Sequence, residues 1–354
     1  MKKIVFLILS VLLCLTFALS GCSCAPDSYL EFENAVTTNV KTETLVYDVS
    51  FADDYKGLSC AQPVNKDLLP EYKNGSLIIE FNGSGKPLPD GITQHITFDG
   101  ISTFNYIRSV LTIDVVVNGK TYNDKIISEV YFYDAEWAFA PVYSKTTVKN
   151  TFIAMSTTQI GCDQKVYEYS TIYKNEKYTL NKKYYSPAQG EDINLVDIEN
   201  LDQTKMKGLV GNGGSHEYEK RKAIDNVQLL FIARNLNLAK GKSSTMPTVT
   251  YVYNGPKTLL IKNNSQSSMV LGEINYNGTT LTNVDMPVKN LVIAIDGSDH
   301  VGANKYLTLQ SEKVGDIENF AFPVEYAESI IENHSYNMIG ALVYKLKSVS
   351  ITKK

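Results

Sequence analysis

Leu111-Thr-Ile-Asp-Val-Val-Val-Asn-Gly-Lys-Thr-Tyr-Asn-Asp-Lys-Ile-Ile-Ser-Glu-Val-Tyr-Phe-Tyr133 is the stretch on which the fold of this chain turns. Leu111, Ile113, Val115 and Val117 fall on one parity, and Thr112, Asp114 and Asn118 on the other. Successive side chains of a strand point to opposite faces, so this is a strand with one apolar face. Asn118-Gly119 follows, the pair that most readily takes φ > 0 at both central positions of a type I′ turn. The chain must then return antiparallel along 120–133.

The same period recurs outward from this hairpin. Leu45, Tyr47, Val49 and Phe51 oppose Asp48 and Ser50, and Leu77, Ile79 and Phe81 oppose Glu80 and Asn82. Asn254-Gly255 and Asn277-Gly278 repeat the turn signal among strands expected at 248–253, 258–262, 272–276 and 279–284. Further strands are expected at 291–295, 306–310, 322–326 and 341–350. One helix interrupts them. Asp225 stands as N-cap with Gln228 three residues on, a variant of the capping box. Val227, Leu230, Phe231 and Arg234 then recur at i, i+3, i+4 and i+7, an apolar stripe ending in a cation, before Asn237 and Gly241 stop it.

A lone helix must bury that stripe, and the concave face of the sheet is the large partner available. The expected fold is therefore mainly β, an antiparallel half-barrel or strongly curved sheet wrapped around one helix at about 225–237. Residues 41–222 form its N-terminal antiparallel region, with a mobile loop at 191–222 that holds Gly208, Gly211, Gly213 and Gly214. Residues 223–354 supply the helix and a C-terminal antiparallel region completing the same sheet.

The 354 residues are 44% apolar and 20% charged with net charge −4, a globular composition that excludes disordered and fibrous classes. Lys2 and Lys3 precede an apolar run at 4–19, the n-region and h-region of an export signal. Leu19-Ser20-Gly21-Cys22 closes the run and resembles the bacterial lipobox, in which the cysteine thiol accepts diacylglycerol and becomes the first residue. The competing reading is an uncleaved anchor, for which the run is just short of the ~20 residues that span a bilayer. The expectation is a lipoprotein signal peptide at 1–21 and a tether at 22–40. The protein then sits outside the cytoplasm, on the outer face of the plasma membrane, or on the outer membrane where there are two. Its membrane partner is reached through acyl chains.

Removal of residues 1–21 takes away two lysines and no acid, leaving 32 basic and 38 acidic side chains. A net charge of −6 argues against nucleic acid as partner. Cys24, Cys60 and Cys162 remain after acylation; Cys60 with Cys162 is the disulfide to test first, and three free thiols are the equal alternative.

Catalytic motifs are thin. Ser298, Asp299 and His300 are consecutive, and neighbours in sequence cannot orient one another as a triad, so Asp296-Gly297 reads as a turn. The glycines at 211–214 lack the Gly-Lys-Ser/Thr of a phosphate loop. His95, His216, His300 and His334 are scattered without ligand spacing. No enzyme, cofactor or metal is expected. The 23 tyrosines against a single Trp137 suit half-buried sheet faces.

From about residue 100 onward the order of elements resembles a bacterial domain family of unknown function found in exported proteins. That family is itself similar to the lipoprotein-carrier (LolA/LolB-like) half-barrels. The resemblance rests on Asp225-Asn-Val-Gln-Leu-Leu-Phe-Ile-Ala-Arg-Asn-Leu236 with Gly241, on 134–143, and on Phe322-Pro-Val-Glu-Tyr326 with Gly340-Ala-Leu-Val-Tyr-Lys-Leu346. It implies an incomplete barrel around a helix, enclosing an apolar cavity of the kind such carriers use for acyl chains.

The resulting expectation is a non-enzymatic, lipid-anchored envelope protein that binds a lipid or other hydrophobic ligand. Val227, Leu230 and Phe231 of the helix stripe, with Val115 and Leu342 from facing strands, are the candidate ligand-binding residues. The alternative is a surface module that recognises glycan or protein through Tyr and Trp faces. For the anchor, Cys22→Ala is expected to leave an unprocessed precursor in the membrane fraction. Normal cleavage and release on an immunoblot would refute lipidation.

Overall fold

The computed structural model describes residues 32, 36–56, 58–59, 69–92, 101–135, 138–155, 160–174, 177–209, 214–217, 223–236, 238–249, 257–295, 305–331 and 338–354. The strands are β1 (Val40–Ala52), β2 (Asp54–Tyr55), β3 (Leu58–Ser59), β4 (Glu71–Lys86), β5 (Phe104–Val117), β6 (Lys120–Phe132), β7 (Pro141–Met155), β8 (Ile160–Lys174) and β9 (Lys177–Tyr185). After them come β10 (Met206–Gly208), β11 (Gly214–Glu217), β12 (Ile224–Asp225), the helix α1 (Leu229–Asn235), β13 (Ser243–Val249) and β14 (Lys257–Tyr276). The chain ends with β15 (Thr279–Ile295), β16 (Lys305–Gln310), β17 (Pro323–Ile331) and β18 (Met338–Lys353).

Apart from the small β2–β3 hairpin, all strands belong to one sheet of 16, in the order β10-β9-β8-β7-β6-β5-β4-β1-β18-β17-β16-β15-β14-β13-β12, with β11 on β9. The protein is thus mainly β, and its described residues form a strongly curved, largely antiparallel sheet around one short helix. The first and last long strands, β1 and β18, pair antiparallel along their length and join the N-terminal meander to the C-terminal one.

The expected turns form as their chemistry requires. Asn118 and Gly119 have φ of 51° and 76°, Asn277 and Gly278 of 48° and 85°, so both hairpins carry φ > 0 at the two central residues. Asn254-Gly255 lies outside the described residues. One expectation is corrected here: 258–262 and 272–276 are not separate strands but parts of the single 20-residue β14, and 279–284 and 291–295 are likewise parts of the single β15. In β14 the polar run between the two parts hid the period, and a register shift between Asn263 and Ser265 absorbs the irregularity as a bulge.

Curvature brings the sheet back on itself twice. The tip of the β14–β15 hairpin docks on β18 beyond the end of β17, with Asn275 and Tyr276 pairing Ser348 and Val349. The Asn277 amide donates to the Val349 carbonyl at 2.8 Å, and the Ile351 amide to Asn277 Oδ1 at 2.8 Å. At the other end, Asp225 of β12 accepts from Ser144 Oγ of β7 at 2.5 Å and from Tyr173 OH of β8 at 2.6 Å. Val249 packs there with Tyr173, Tyr178 and Leu180. Within the stretch 191–222, expected as a mobile loop, the described residues 191–209 pack on the sheet. Lys205 pairs with Glu191 at 2.8 Å, and Ile198 and Met206 bury against Val166 and Tyr185 on the sheet's outer side.

The helix sits where the apolar stripe requires, though at seven residues it is shorter than expected and follows a 3₁₀ turn at Asn226–Gln228. The capping box is complete: Asp225 accepts from the Val227 amide, and Gln228 accepts from the Asp225 amide at 2.9 Å. Phe231 enters an aromatic cage, its ring centroid 4.8 Å from Phe81, 5.3 Å from Phe132 and 5.3 Å from Phe139, the last edge-on at 90°.

Arg234 closes the helix as the stripe requires. Expected as a cation at the helix end, it is buried, with its guanidinium forked onto Glu43 of β1 (Nη2 to Oε1 2.9 Å). Its Nε and Nη2 also donate to the Phe320 carbonyl at 3.1 and 3.0 Å. Removing one partner of such a pair strands a buried charge, at a cost of about 3–5 kcal/mol. Glu43→Gln is therefore expected to lower urea-unfolding stability by about that much, and Glu43→Leu with Arg234→Met to restore most of it. An unchanged midpoint for the single variant would show that the pair does not hold the helix.

Candidate functional site

The strands around the helix leave a partly open cleft of about 180 Å³ between the two halves of the sheet. Leu77 and Ile79 of β4, Ile107 and Leu111 of β5, and Ile126 of β6 form one wall, because strand alternation sends these parities inward. Val227, Leu230 and Phe231 form the floor. Lys305 of β16, Tyr326 and Glu328 of β17, and Tyr344 of β18 form the opposite wall, with the Ser109 and Ser128 side chains also at the surface of the cleft.

Three of the five candidate ligand-binding residues thus meet in one place, Val227, Leu230 and Phe231. Val115 and Leu342 do not line the cleft. Val115 is buried in the main core, four residues along β5 from Leu111, which at ~3.4 Å per residue carries it about 14 Å away. Leu342 packs against the same core from β18, but the next inward position, Tyr344, is the one that reaches the cleft.

The polar wall was missed. Lys305 Nζ donates to Glu328 Oε2 at 2.7 Å and to Tyr326 OH at 2.8 Å. Tyr326 OH in turn donates to Glu328 Oε2 at 2.9 Å, and Tyr344 OH to Glu328 Oε1 at 2.6 Å. Lys305 and Glu328 keep 23% and 31% of their side chains exposed, so the cluster reaches solvent at the mouth rather than lying sealed in the core. Burial works against the charged Glu328, but the neighbouring Lys305 charge and the hydrogen bonds from Lys305, Tyr344 and Tyr326 outweigh it and hold the carboxyl below its ordinary range. The available signal was the alternation of Tyr326 and Glu328 on one face of a strand. A charge on an apolar parity marks either a strand end or a site.

Other buried carboxyls have structural work. Asp225 caps the helix, and burial raises its pKa against the Ser144 and Tyr173 hydroxyls and the Val227 amide. Asp124, pushed up to about 6 chiefly by burial, accepts from the Thr151 amide and hydroxyl at 2.7 Å and from Gln164 at 2.9 Å. Neither lines the cleft.

Among the described residues no cluster of three or more His, Cys, Asp or Glu is placed to hold a metal ion. Cys162, offered as a disulfide partner, is a free, half-buried thiol beside Tyr122. Its intended partner Cys60 lies outside the described residues, as do Leu19, Ser20, Gly21, Cys22, Trp137 and Asp296-Gly-Ser-Asp-His300.

The tyrosines divide by position. Tyr47, Tyr131 and Tyr143 are buried. On the inward parity of β8, Tyr167 and Tyr169 lie half-buried and stacked at 6.0 Å and 27°, with Phe152 edge-on to Tyr167 at 5.8 Å. Tyr184 stands opposite Tyr167 on β9, 38% exposed.

No family model matches the chain, and no curated protein does. Among solved structures it is similar to a β-barrel-like protein of domain of unknown function DUF1849 from Brucella abortus, with TM-score 0.46 and 10% identity over 89% of this chain and 99% of that one.

The sign of the Glu328 shift gives a pH prediction. With a folded pKa below the unfolded one, the stability it lends is complete above the ordinary carboxyl range and is lost as pH falls through the folded value. A ¹³C NMR titration of the Glu328 carboxyl is expected to show its midpoint below 4.5, and Lys305→Met to move it upward. A midpoint above 4.5 in the unaltered protein would contradict the pairing.

Proposed function

We propose that this protein is a non-enzymatic, exported, lipid-anchored binding protein whose half-barrel takes a small apolar ligand, or one end of a larger one, against its central helix. The observation that carries the reading is the cleft itself, in which the helix stripe Val227, Leu230 and Phe231 faces an inward row of aliphatic side chains from β4 to β6. The lipobox-like Leu19-Ser20-Gly21-Cys22 supports the anchor, and the resemblance of the 225–236 segment to an exported-domain family of unknown function, itself similar to lipoprotein-carrier half-barrels, supports an apolar cargo. No helix among the described residues is long and apolar enough to cross a membrane.

Size limits the ligand. An apolar cavity of about 150 Å³ holds a benzene molecule, so about 180 Å³ takes a segment of roughly six carbons and not a whole acyl chain. At about 0.8 kcal/mol per buried CH₂ six carbons contribute about 5 kcal/mol, so with the cost of association set against it such a segment alone binds no more tightly than about millimolar. Tighter binding requires contacts beyond the cleft. The half-buried Tyr167 and Tyr169 pair favours a second reading, recognition of a sugar ring on the inward face of β8, since neighbouring aromatic rings on one face suit such a surface.

Filling the cleft tests the first reading. Leu230→Trp is expected to weaken binding of a six-carbon probe such as 1-hexanol at least tenfold in saturation-transfer NMR, with circular dichroism unchanged. Equal saturation transfer in both proteins would remove the cleft as the binding site.

A further inference from the structure

The polar wall carries the ligand reading one step further, to the chemistry of the ligand's end group. We propose that the cleft selects an alkyl ligand bearing an uncharged hydrogen-bonding end, an alcohol, amide or ester, over a free carboxylate or an amine. This rests on the cleft being the ligand site.

The cluster at the mouth is already neutral. Lys305 and Glu328 lie 2.7 Å apart and cancel, and Tyr326 and Tyr344 both direct their hydroxyls at Glu328. An incoming carboxylate finds a cation whose charge is spent and a second carboxylate within reach of its own. An incoming ammonium meets the mirror situation at Lys305. Like charges at this separation disfavour ionisation, and an ion leaving water for an apolar cleft needs a full partner that this pair does not supply. An uncharged end group loses far less on desolvation than an ion does. It finds the third N–H of Lys305, the remaining lone pairs of Glu328, and the hydroxyls of Ser109 and Ser128 on the walls. The specificity is therefore built by repulsion against both charged classes as much as by attraction to the neutral one.

The selection is reversible by design of the pair. Glu328→Gln leaves Lys305 uncompensated and turns the mouth cationic; Lys305→Met leaves Glu328 uncompensated and turns it anionic. Both variants keep the approximate shape of the wall, so either one tests the proposal if the other fails to fold.

The experiment uses the full chain held in a fluorinated surfactant, which does not dissolve hydrocarbon, with 1-hexanol, hexanoate and hexylamine titrated at pH 7 and followed by saturation-transfer NMR. The unaltered protein is expected to bind hexanol at least tenfold more tightly than either ion. Glu328→Gln is expected to move the preference to hexanoate, and Lys305→Met to hexylamine, each by at least tenfold. Hexanoate or hexylamine binding as well as hexanol to the unaltered protein, or an order of preference untouched by both variants, overturns the end-group selection and leaves the cleft standing. Failure of all three probes to bind, with Leu230→Trp indistinguishable from the parent, overturns the cleft reading itself.

Discussion

The buried ion pair between Arg234 and Glu43 is the constraint on which the other features depend. Both side chains are all but excluded from solvent, 2% and 3% exposed, so neither charge has water to fall back on. A guanidinium forked onto a carboxylate fixes orientation as well as distance. The last turn of α1 is thereby set against β1 and against the carbonyl of Phe320. A helix of seven residues is too short to hold itself together in water, and its depth within the sheet is decided by this pair, by the capping box at its start, and by Phe231 in its aromatic cage. Asn235 adds a tie at the C-terminal end, accepting from the Thr37 amide and hydroxyl while donating to the Phe231 carbonyl.

With the helix fixed in depth and rotation, the space left beside it is fixed too. Phe231 packs against Phe81 of β4 and Phe132 of β6, and the cleft lies between the helix stripe and the polar wall from β16 to β18. That wall stands close because the sheet curls onto itself at the β14–β15 tip on β18 and at Asp225 on β7 and β8. A more open sheet would have left a wide trough of the kind that takes whole acyl chains. Here curvature and the helix together leave room for a short segment, with one charge-neutral polar cluster at the mouth.

The fold was legible to the extent that local rules govern it. Period-two alternation identified the strands around Leu111 and Leu45, and two Asn-Gly pairs identified hairpins whose positive φ values follow from residue chemistry alone. The capping box at Asp225 was legible for the same reason, as its hydrogen bonds span three residues. Where local rules weaken, so did legibility. The bulge near Ser265 broke the period of β14, and the pinned course of 191–209 depends on side chains from other strands. Of the candidate site, Val227, Leu230 and Phe231 were visible because helical periodicity puts them on one face. Lys305, Glu328, Tyr326 and Tyr344 were not, since they come from three strands whose neighbourhood is a matter of sheet order.

Sequence alone reads out a β-rich meander, the turns that fold it, and a capped helix with one apolar stripe at 225–236. These follow from interactions between residues a few positions apart. Only the tertiary structure decided that Arg234 is an interior anchor, that Val115 and Leu342 belong to the core, and that a charged pair faces the helix across a small cleft. Those outcomes rest on contacts between residues far apart in the chain, Glu43 with Arg234 and Leu77 with Tyr344 across one space. The physical reason is that strand alternation assigns a side chain to a face, whereas the twist, order and closure of the sheet decide what that face meets.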